Sequence, residues 1–349
     1  MRSWLVLVLY FCVVTLARAG GHPAIPEPGQ TFIAPLATEA MLLDAINVDE
    51  RIVVVGEKGI VLISDDAGLS WRQPQTGTRI TLTGVHFSDR DNGWVVGHDS
   101  LILRTTDGGA TWQEVYSDPD DQRPLFDVWF ADSETGIAVG AYGLMLLTGD
   151  GGETWELTEL IPEPWPDLQS LADTPDEGGD EFDFEDDEFY DFHLNHIVPA
   201  PSGDLYVAAE AGHFFRSPDS GATWYSMPTI YEGSFFNSIP LSGEQLLLIG
   251  LRGNIFRSND GGQNWLPIDS PVTVLLNDGL LLDDGTILIG GMAGAVLESR
   301  DGGRSFSLLQ QSDRKAISVI LPIADGLLTV GEAGVQRTDL PTLRQGGSS

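Results

Sequence analysis

Short apolar runs separated by turns of glycine and aspartate fill most of this chain. Between residues 82 and 116, four such runs follow one another: Leu82–Phe87, Gly93–Val96, Leu101–Thr105 and Thr111–Tyr116. Runs of this length, rich in Val, Ile, Leu and Trp and bounded by Gly and Asp, predict β-strands. The pattern therefore predicts an all-β protein built from units of four antiparallel strands.

The unit recurs along the chain, and its clearest element is an eight-residue turn, [S/T]-x-D-x-G-x-x-[W/F], which occurs six times. Four of the five intervals between successive turns are 41 to 43 residues and the other is 69. A fixed period of this size predicts one sheet repeated around an axis, because a single sheet cannot bury both of its faces. The turn aspartates are Asp66, Asp107, Asp150, Asp219, Asp260 and Asp301, and the aromatic residues that end the turns are Trp71, Trp112, Trp155, Trp224, Trp265 and Phe306.

A second turn fixes the number of units at seven. A G-x-x-G turn, with one glycine replaced in two of its copies, precedes each aspartate turn and occurs once more at Gly331–Gly334. Seven half-repeats of this kind predict a seven-bladed β-propeller. The last blade lacks a fourth strand, so we expect the strand-like stretch Gln30–Leu36 to supply it and to close the ring.

The aspartate turns have a structural explanation. A short polar side chain before glycine can accept main-chain N–H bonds, and glycine supplies the positive φ of a tight turn. The aromatic residue that follows can pack between neighbouring sheets. We expect these residues to be structural, and a catalytic or metal role for one of them is the alternative.

The N-terminus indicates export. Met1–Arg2 is followed by 13 apolar residues and by Ala17-Arg18-Ala19, which together predict a signal peptide over residues 1–19. Residues 20–340 then form a single propeller, and residues 341–349 a polar tail. The only cysteine, Cys12, lies in the leader, so the mature chain has no disulfide. We expect a periplasmic protein that does not itself span the membrane, with secretion as the alternative.

The charge of the chain is strongly negative. It has 52 acidic and 18 basic side chains, for a net charge of −34. Such a surface repels nucleic acid and anionic lipid and favours basic partners or cations. Solubility in a salty habitat is the alternative explanation.

The interval of 69 residues contains an acidic insert from about residue 160 to residue 192. Residues 159–191 hold 14 acidic and no basic side chains. The first half of the insert is rich in proline and shows no pattern typical of a helix or strand. Segments of this composition rarely form a core. One interpretation is a loop without a role; another is a segment that docks onto a basic groove of a partner; calcium binding lacks the usual ligand spacing. The docking residues would be Phe182, Phe184, Asp186, Asp187, Phe189 and Tyr190.

Strand parity places the seven G-x-x-G turns on one face of the ring, around its central mouth, and the insert on the same face. The side chains in these turns are therefore candidates for contact with a partner. They are Glu57, Lys58, His98, Asp99, Tyr142, Glu210, Arg252 and Glu332.

The aspartate turn resembles the bacterial neuraminidase repeat, or Asp-box. The longer pattern Leu82–Phe87, Gly93–Gly97 and Ile102–Trp112 resembles the photosystem II assembly/stability factors and their relatives in non-photosynthetic bacteria. The resemblance covers nearly all of residues 40–338. It implies a non-enzymatic propeller that helps to assemble membrane protein complexes, partly through a basic patch, and in bacteria an association with exporters of the resistance-nodulation-division class. This chain is strongly acidic, and in that respect it departs from the family and its basic patch.

Enzyme chemistry has weaker support in the sequence. A sialidase needs an Arg-Ile-Pro motif and three arginines that hold the substrate carboxylate, and neither is visible. A glycosidase pair among the many carboxylates stays open. No metal-ligand spacing or cofactor fingerprint is present, so we expect no catalytic residue, metal or cofactor. The sequence favours an envelope assembly protein that binds a membrane protein with a basic surface, with a carbohydrate-binding or glycoside-hydrolase-like propeller as the alternative.

Overall fold

Seven small antiparallel sheets surround a central axis in the computed structural model, which describes residues 33–166, 192–324 and 326–338. Within each sheet, or blade, the strands are hydrogen-bonded in sequence order, and the first strand lies innermost. The predicted seven-bladed all-β propeller is confirmed.

The strand bounds show how regular the repeat is. Blade one contains β1 (Leu42–Val48), β2 (Arg51–Gly56) and β3 (Val61–Ser64). Blade two contains β4 (Leu82–Phe87), β5 (Gly93–Gly97), β6 (Ile102–Thr105) and β7 (Gln113–Tyr116). Blade three contains β8 (Leu125–Phe130), β9 (Gly136–Gly140), β10 (Met145–Thr148) and β11 (Glu156–Thr158). A short strand, β12 (Glu163–Pro164), follows blade three.

The remaining blades repeat this order. Blade four contains β13 (Leu194–Pro199), β14 (Leu205–Ala209), β15 (Phe214–Ser217) and β16 (Tyr225–Ser226). Blade five contains β17 (Phe235–Pro240), β18 (Leu246–Gly250), β19 (Ile255–Ser258) and β20 (Leu266–Ile268). Blade six contains β21 (Leu276–Leu281), β22 (Ile287–Gly291), β23 (Ala295–Ser299) and β24 (Ser307–Gln310). Blade seven contains β25 (Ile317–Ile323), β26 (Gly326–Gly331) and β27 (Gly334–Thr338).

The ring closes through contacts between blades seven and one. Strand β25 lies against β1, and a 3₁₀-helix at Ala37–Glu39 contacts β27. In blade one, a single bridge between Ile63 and Arg72 takes the place of the fourth strand. The closing strand that we expected over Gln30–Leu36 does not appear at Ile33–Leu36, and the rest of that segment lies outside the described residues.

One apolar cluster fills each of the seven interfaces between neighbouring blades. In six of them, the aromatic residue that ends an aspartate turn packs into the cluster between its own blade and the preceding one. The aromatic residues, in blade order, are Trp71, Trp112, Trp155, Trp224, Trp265 and Phe306. Blade seven has no such turn, and its cluster with blade six is formed by aliphatic side chains instead.

Every innermost strand has a register shift at its start. The shift falls between the first and third residues of all seven strands, for example between Leu125 and Asp127. A bulge of this kind bends the strand and takes residues out of the usual alternation of side chains. Its consequence here is that the second residue of every innermost strand lines the central channel.

The acidic insert begins with structure that the sequence did not predict. Leu160 is buried in the core between blades three and four, and β12 adds a parallel strand to the outer edge of blade four. The interpretation of this stretch as free of strand structure was therefore wrong at Glu163–Pro164. Proline is tolerated there because β12 is an edge strand.

Candidate functional site

The mouth of the propeller is the end of the central channel at which the turns between second and third strands lie. Glu210 and Met292, which belong to two of these turns, line the channel together with Met41 and His193. The aspartate turns join the third and fourth strands, so they lie at the opposite end of the blades. Two of the turns that strand parity placed on one face therefore reach the channel.

The mouth turns have a shared backbone geometry. In six of the seven, the second residue inside the turn is not glycine and yet has φ between 54° and 58°; these residues are Lys58, Asp99, Tyr142, Ala211, Arg252 and Ala293. A residue such as Tyr142 rarely adopts this left-handed conformation. In the blade-three turn, the Leu144 N–H donates to the Ala141 carbonyl, and the Gly143 N–H donates to the Phe192 carbonyl. These bonds hold the Tyr142 side chain toward solvent.

Tyr142 and Glu210 are brought close together by a residue that the sequence did not single out. The His193 and Tyr142 rings pack edge to face, with 4.8 Å between ring centroids. His193 Nδ1 lies 3.4 Å from Glu210 Oε1, and Glu210 Oε2 accepts the His193 main-chain N–H at 3.3 Å. With Phe126, whose ring centroid lies 5.4 Å from that of His193, these residues form a compact patch. We use the name mouth cluster for this patch together with Met41 and Met292, which line the same channel at blades one and six; the set is Met41, Phe126, Tyr142, His193, Glu210 and Met292.

The other candidate side chains lie separately around the rim. Lys58 pairs with its neighbour Glu57 at 3.0 Å. Glu332 pairs with Lys315 at 2.6 Å, and this contact lowers the pKa of Glu332 and raises that of Lys315. Because both pairs are exposed, they contribute little to stability.

Three further rim positions do not join the mouth cluster. The His98 and Arg252 side chains are exposed, and the Asp99 carbonyl accepts the Asp118 N–H at 3.1 Å. Met41, Phe126 and His193, which line the channel, were not among the candidates from the sequence. The only signal for them was their place at the start of an innermost strand, where the bulge directs side chains toward the axis.

A channel of about 770 Å³ runs along the axis below the mouth cluster. Hydrogen bonds join neighbouring blades along the channel at all seven interfaces, with donor–acceptor distances of 2.6 to 3.0 Å, and between blades six and seven there are two, because the Ile320 N–H also donates to Asp278. The Asp44 and Asp127 carboxylates accept the N–H groups of Val85 and Ile197 in the next blade. The other bridging donors are Thr83 to the Leu125 carbonyl, Asn195 to Phe235, Asn237 to the Asp278 carboxylate, Asn277 to Ile317 and Asn47 to Pro322.

Burial changes the protonation of the groups in the channel wall. Desolvation raises the pKa of Asp278 to about 6, against the hydrogen bond from the Ile320 N–H. Desolvation also raises the pKa of Asp44 well above its usual value, and the charges of Asp127 and Asp278 add to this shift. The pKa of His86 is lowered by desolvation. All three shifts favour the uncharged form of the group.

The aspartate turns form closed hydrogen-bonded units at the opposite face. In blade three, Asp150 accepts both the hydroxyl and the main-chain N–H of Thr154, at 2.6 and 2.9 Å. Thr148 donates its hydroxyl to Asp150 and accepts the Gly152 N–H. The Thr154 hydroxyl is the main reason why the pKa of Asp150 is lowered to about 2. A carboxylate engaged in this way is poorly placed for chemistry.

The start of the acidic insert contacts the outer part of blade four, and its end lies beside the mouth turn of blade three. At its start, the Trp165 ring lies over the Arg216 guanidinium at 4.5 Å and against Tyr225. At its end, Phe192 is buried next to the mouth turn that carries Tyr142. The proposed docking residues Phe182, Phe184, Asp186, Asp187, Phe189 and Tyr190 lie outside the described residues.

Neither metal ligation nor membrane spanning is indicated in the described parts of the chain. No group of three or more His, Cys, Asp or Glu side chains there is arranged to hold a metal ion. No helix within those same ranges is long and apolar enough to cross a bilayer.

Comparison with known proteins supports the resemblance suggested by the repeat. The family model for photosynthesis system II assembly factor YCF48 matches residues 69–164. The chain resembles the photosystem II assembly factors. The chloroplastic photosystem II stability/assembly factor HCF136 of Cyanidioschyzon merolae is 42% identical over 48 residues, which is 13% of this chain and 11% of that protein. The matched segment thus spans only a small part of this relative.

Solved structures extend the likeness to the whole ring. A structure of YCF48 bound to D1 peptide has a TM-score of 0.64 and 20% identity, covering 86% of this chain and 93% of that one. YCF48 from Cyanidioschyzon merolae has a TM-score of 0.63 and 19% identity, covering 88% and 96%. At such identities, the structural likeness shows the fold alone.

Proposed function

We propose that this chain is an exported, non-enzymatic interaction protein that assists the assembly of a membrane complex in the cell envelope. The proposed partner is a membrane protein with a basic surface, and an exporter of the resistance-nodulation-division class is the first candidate. The mouth cluster is the observation that carries this proposal. It joins exposed apolar and aromatic side chains to a histidine and a carboxylate at the open end of a channel.

The composition of the mouth cluster is that of a protein-binding surface. Tyr142, Met292 and Met41 are large side chains with 48%, 46% and 37% of their surface exposed. Aromatic residues and methionine are enriched in protein interfaces, and tyrosine is common among the few residues that carry most of the binding energy. The similar propeller YCF48 has been solved bound to D1 peptide, which supports a polypeptide segment as the ligand here.

Export to the periplasm is part of the same proposal and rests on residues 1–19. Its test is cell fractionation combined with N-terminal sequencing of the mature protein. We expect a periplasmic product that begins at Gly20. An unprocessed protein that begins at Met1 in the cytoplasm would contradict the proposal.

The partner can be tested by cross-linking and affinity purification from cell envelopes. The informative variant is Tyr142→Ala/Met292→Ala, which removes two exposed side chains of the mouth cluster and leaves the turn backbone intact. The matched control is Leu69→Ala, because Leu69 is 71% exposed in an aspartate turn on the opposite face. We expect one membrane protein to be recovered with the wild type and the control and to be lost with the mouth variant.

A second comparison separates the mouth from the acidic insert. Replacing residues 167–191 with a Gly/Ser linker keeps β12 and Trp165 in place. Loss of the partner with this variant alone would move the binding site to the insert. Recovery of no membrane protein by any form, with glycan binding by the purified protein, would replace the assembly function with the carbohydrate alternative.

A further inference from the structure

The described part of the channel wall contains acidic side chains without lysine or arginine to balance them. Asp44, Asp127, Asp278 and Glu210 line it, and no lysine or arginine is among the described residues that do so. Three histidines, His86, His193 and His196, also line the channel, and His196 Nε2 lies 3.7 Å from Asp127 Oδ2. A cavity that gathers one sign of charge between low-dielectric walls concentrates ligands of the opposite sign.

The three channel aspartates keep acceptor capacity after they have bridged the blades. Asp44 accepts two main-chain N–H bonds, and so does Asp127. Asp278 accepts one from Ile320 and one from the Asn237 amide. Burial raises the pKa of Asp44 and Asp278 and so favours their protonated forms, whereas a cation bound beside them favours the ionised form. An ionised carboxylate has about four acceptor sites, so each of the three can then accept further bonds from the ligand.

The spacing of these carboxylates argues against a metal ion as the occupant. They belong to blades one, three and six, and among the described residues no three potential ligands converge on one point. A metal ion needs its ligands at about 2 to 2.6 Å from a single centre. An organic cation with several N–H donors can instead bond to carboxylates on different sides of the channel.

The wall next to the carboxylates suits the apolar stem of such a ligand. Phe126, Phe236 and Trp129 face the channel, and aromatic faces attract cations. A channel volume of about 770 Å³ lies within the usual range of ligand-binding pockets. The entrance is the mouth cluster, so a side chain presented by a bound polypeptide can reach the aspartates.

We propose that the axial channel binds an ammonium or guanidinium group, which enters past the mouth cluster and bonds to Asp44, Asp127 and Asp278. This inference rests on the proposed function and makes it more specific, because the partner segment then carries an arginine or lysine that inserts into the channel. A free polyamine has the same chemistry and is the other source of the group.

The test uses the mature full-length chain and three probes in titration calorimetry. The first is a capped peptide with one central arginine, the second is the same peptide with citrulline, and the third is spermidine. Citrulline has nearly the shape of arginine but no charge, so the pair isolates the cation without changing the protein. We expect the arginine peptide to bind at least tenfold more tightly than the citrulline peptide, because bonds to a charged group are worth about 1.5 to 3 kcal/mol. Equal affinities would overturn the proposal.

Variants then locate the site. Asp127→Asn should weaken binding of the arginine peptide about tenfold, whereas Glu156→Gln, at an exposed carboxylate on the outer strand of blade three, should leave it unchanged. Binding that Asp127→Asn leaves unaffected would overturn the assignment to the channel. Circular dichroism checks that each variant is folded, and the comparison of arginine with citrulline does not depend on any variant.

The outcomes also separate this inference from the proposed function. If the envelope partner is captured through Tyr142 and Met292 but the arginine peptide does not bind, the cation site fails and the assembly function stands. If spermidine binds and the arginine peptide does not, the cation chemistry stands and its source is a free amine.

Discussion

The Asp127 Oδ2 atom accepts the main-chain N–H of Ile197 at 2.9 Å, across the interface between blades three and four. The two residues are 70 positions apart, with the whole acidic insert between them. The same carboxylate also accepts the N–H of Val128 in its own strand. One side chain thus fixes the bulge of β8 and joins it to β13, at an interface between blades that the long interval of 69 residues separates in sequence.

Replacing this carboxylate should destabilise the ring. In Asp127→Ala, the inward-facing N–H groups of Val128 and Ile197 lose their acceptor, which costs about 2 kcal/mol in the free energy of unfolding. Urea denaturation of the mature protein measures the change. The control is Asp120→Ala, at an exposed position in the loop before β8. Equal stabilities of the two variants would show that water in the channel replaces the lost acceptor.

The raised pKa of Asp278 predicts a pH dependence of stability with a definite sign. Its pKa is about 6 in the folded protein and near the ordinary aspartate value of 3.8 in the unfolded chain. Between these values the folded state binds more protons, so the free energy of unfolding falls as the pH rises from 4 to 6. Aspartates with lowered pKa values, such as Asp150, act in the opposite direction and below this window.

The variant Asp278→Asn isolates this contribution. Because asparagine does not ionise, the wild type should lose stability relative to the variant between pH 4 and pH 7, by about 1 to 3 kcal/mol. Urea denaturation at a series of pH values gives the difference directly. A constant difference across the range would mean that Asp278 titrates at its ordinary pKa. Asp44→Asn should show a difference of the same sign.

The aromatic residues of the aspartate turns should contribute much more than the turn carboxylates. Trp265 is 8% exposed, packs edge-on against Phe214 at 5.5 Å and donates its indole N–H to the Pro228 carbonyl. Trp265→Ala leaves a cavity between blades four and five, and we expect a loss of about 3 to 5 kcal/mol. Trp265→Phe should recover most of this loss, since it keeps the edge-on packing. If both variants lose the same amount, the indole hydrogen bond rather than packing is responsible.

The periodic part of the fold could be predicted because each blade repeats the same local chemistry. The strand bounds of blade two, Leu82–Phe87 and Gln113–Tyr116, agree closely with the runs Leu82–Phe87 and Thr111–Tyr116 in the sequence. The turn glycines explain this agreement: at Gly253, an added Cβ would lie 2.1 Å from the Val272 carbonyl oxygen, and φ is +74°. A residue with a Cβ would clash at such a position, so the glycine and its turn conformation are required together.

The candidate site was less predictable because it depends on the non-periodic contacts of the channel. Strand alternation treats Phe126 and Asp127 as facing opposite sides of the sheet, whereas the bulge in β8 lets both line the channel. His193 lies in the long interval, where no repeat spacing identifies its partners Tyr142 and Glu210. Sequence periodicity predicts which residues occupy equivalent positions in the blades. It does not predict which side chains of different innermost strands come together at the axis, because the closed ring determines those contacts.

The last prediction concerns the anchoring of the acidic insert. Arg216 is held by Asp204 at 2.5 Å and by the Gly261 carbonyl, and Trp165 lies over its outer face. Trp165→Ala removes this contact and should release β12 from the edge of blade four, since two residues of parallel pairing are too few to hold it. The cost in global stability should stay near 1 kcal/mol, because a partly exposed cation–π contact is worth about that much. Limited proteolysis should show faster cleavage at residues 159–166, and Trp165→Phe should restore the resistance of the wild type. Cleavage at an unchanged rate in Trp165→Ala would mean that burial of Leu160, rather than the stacking on Arg216, fixes the start of the insert.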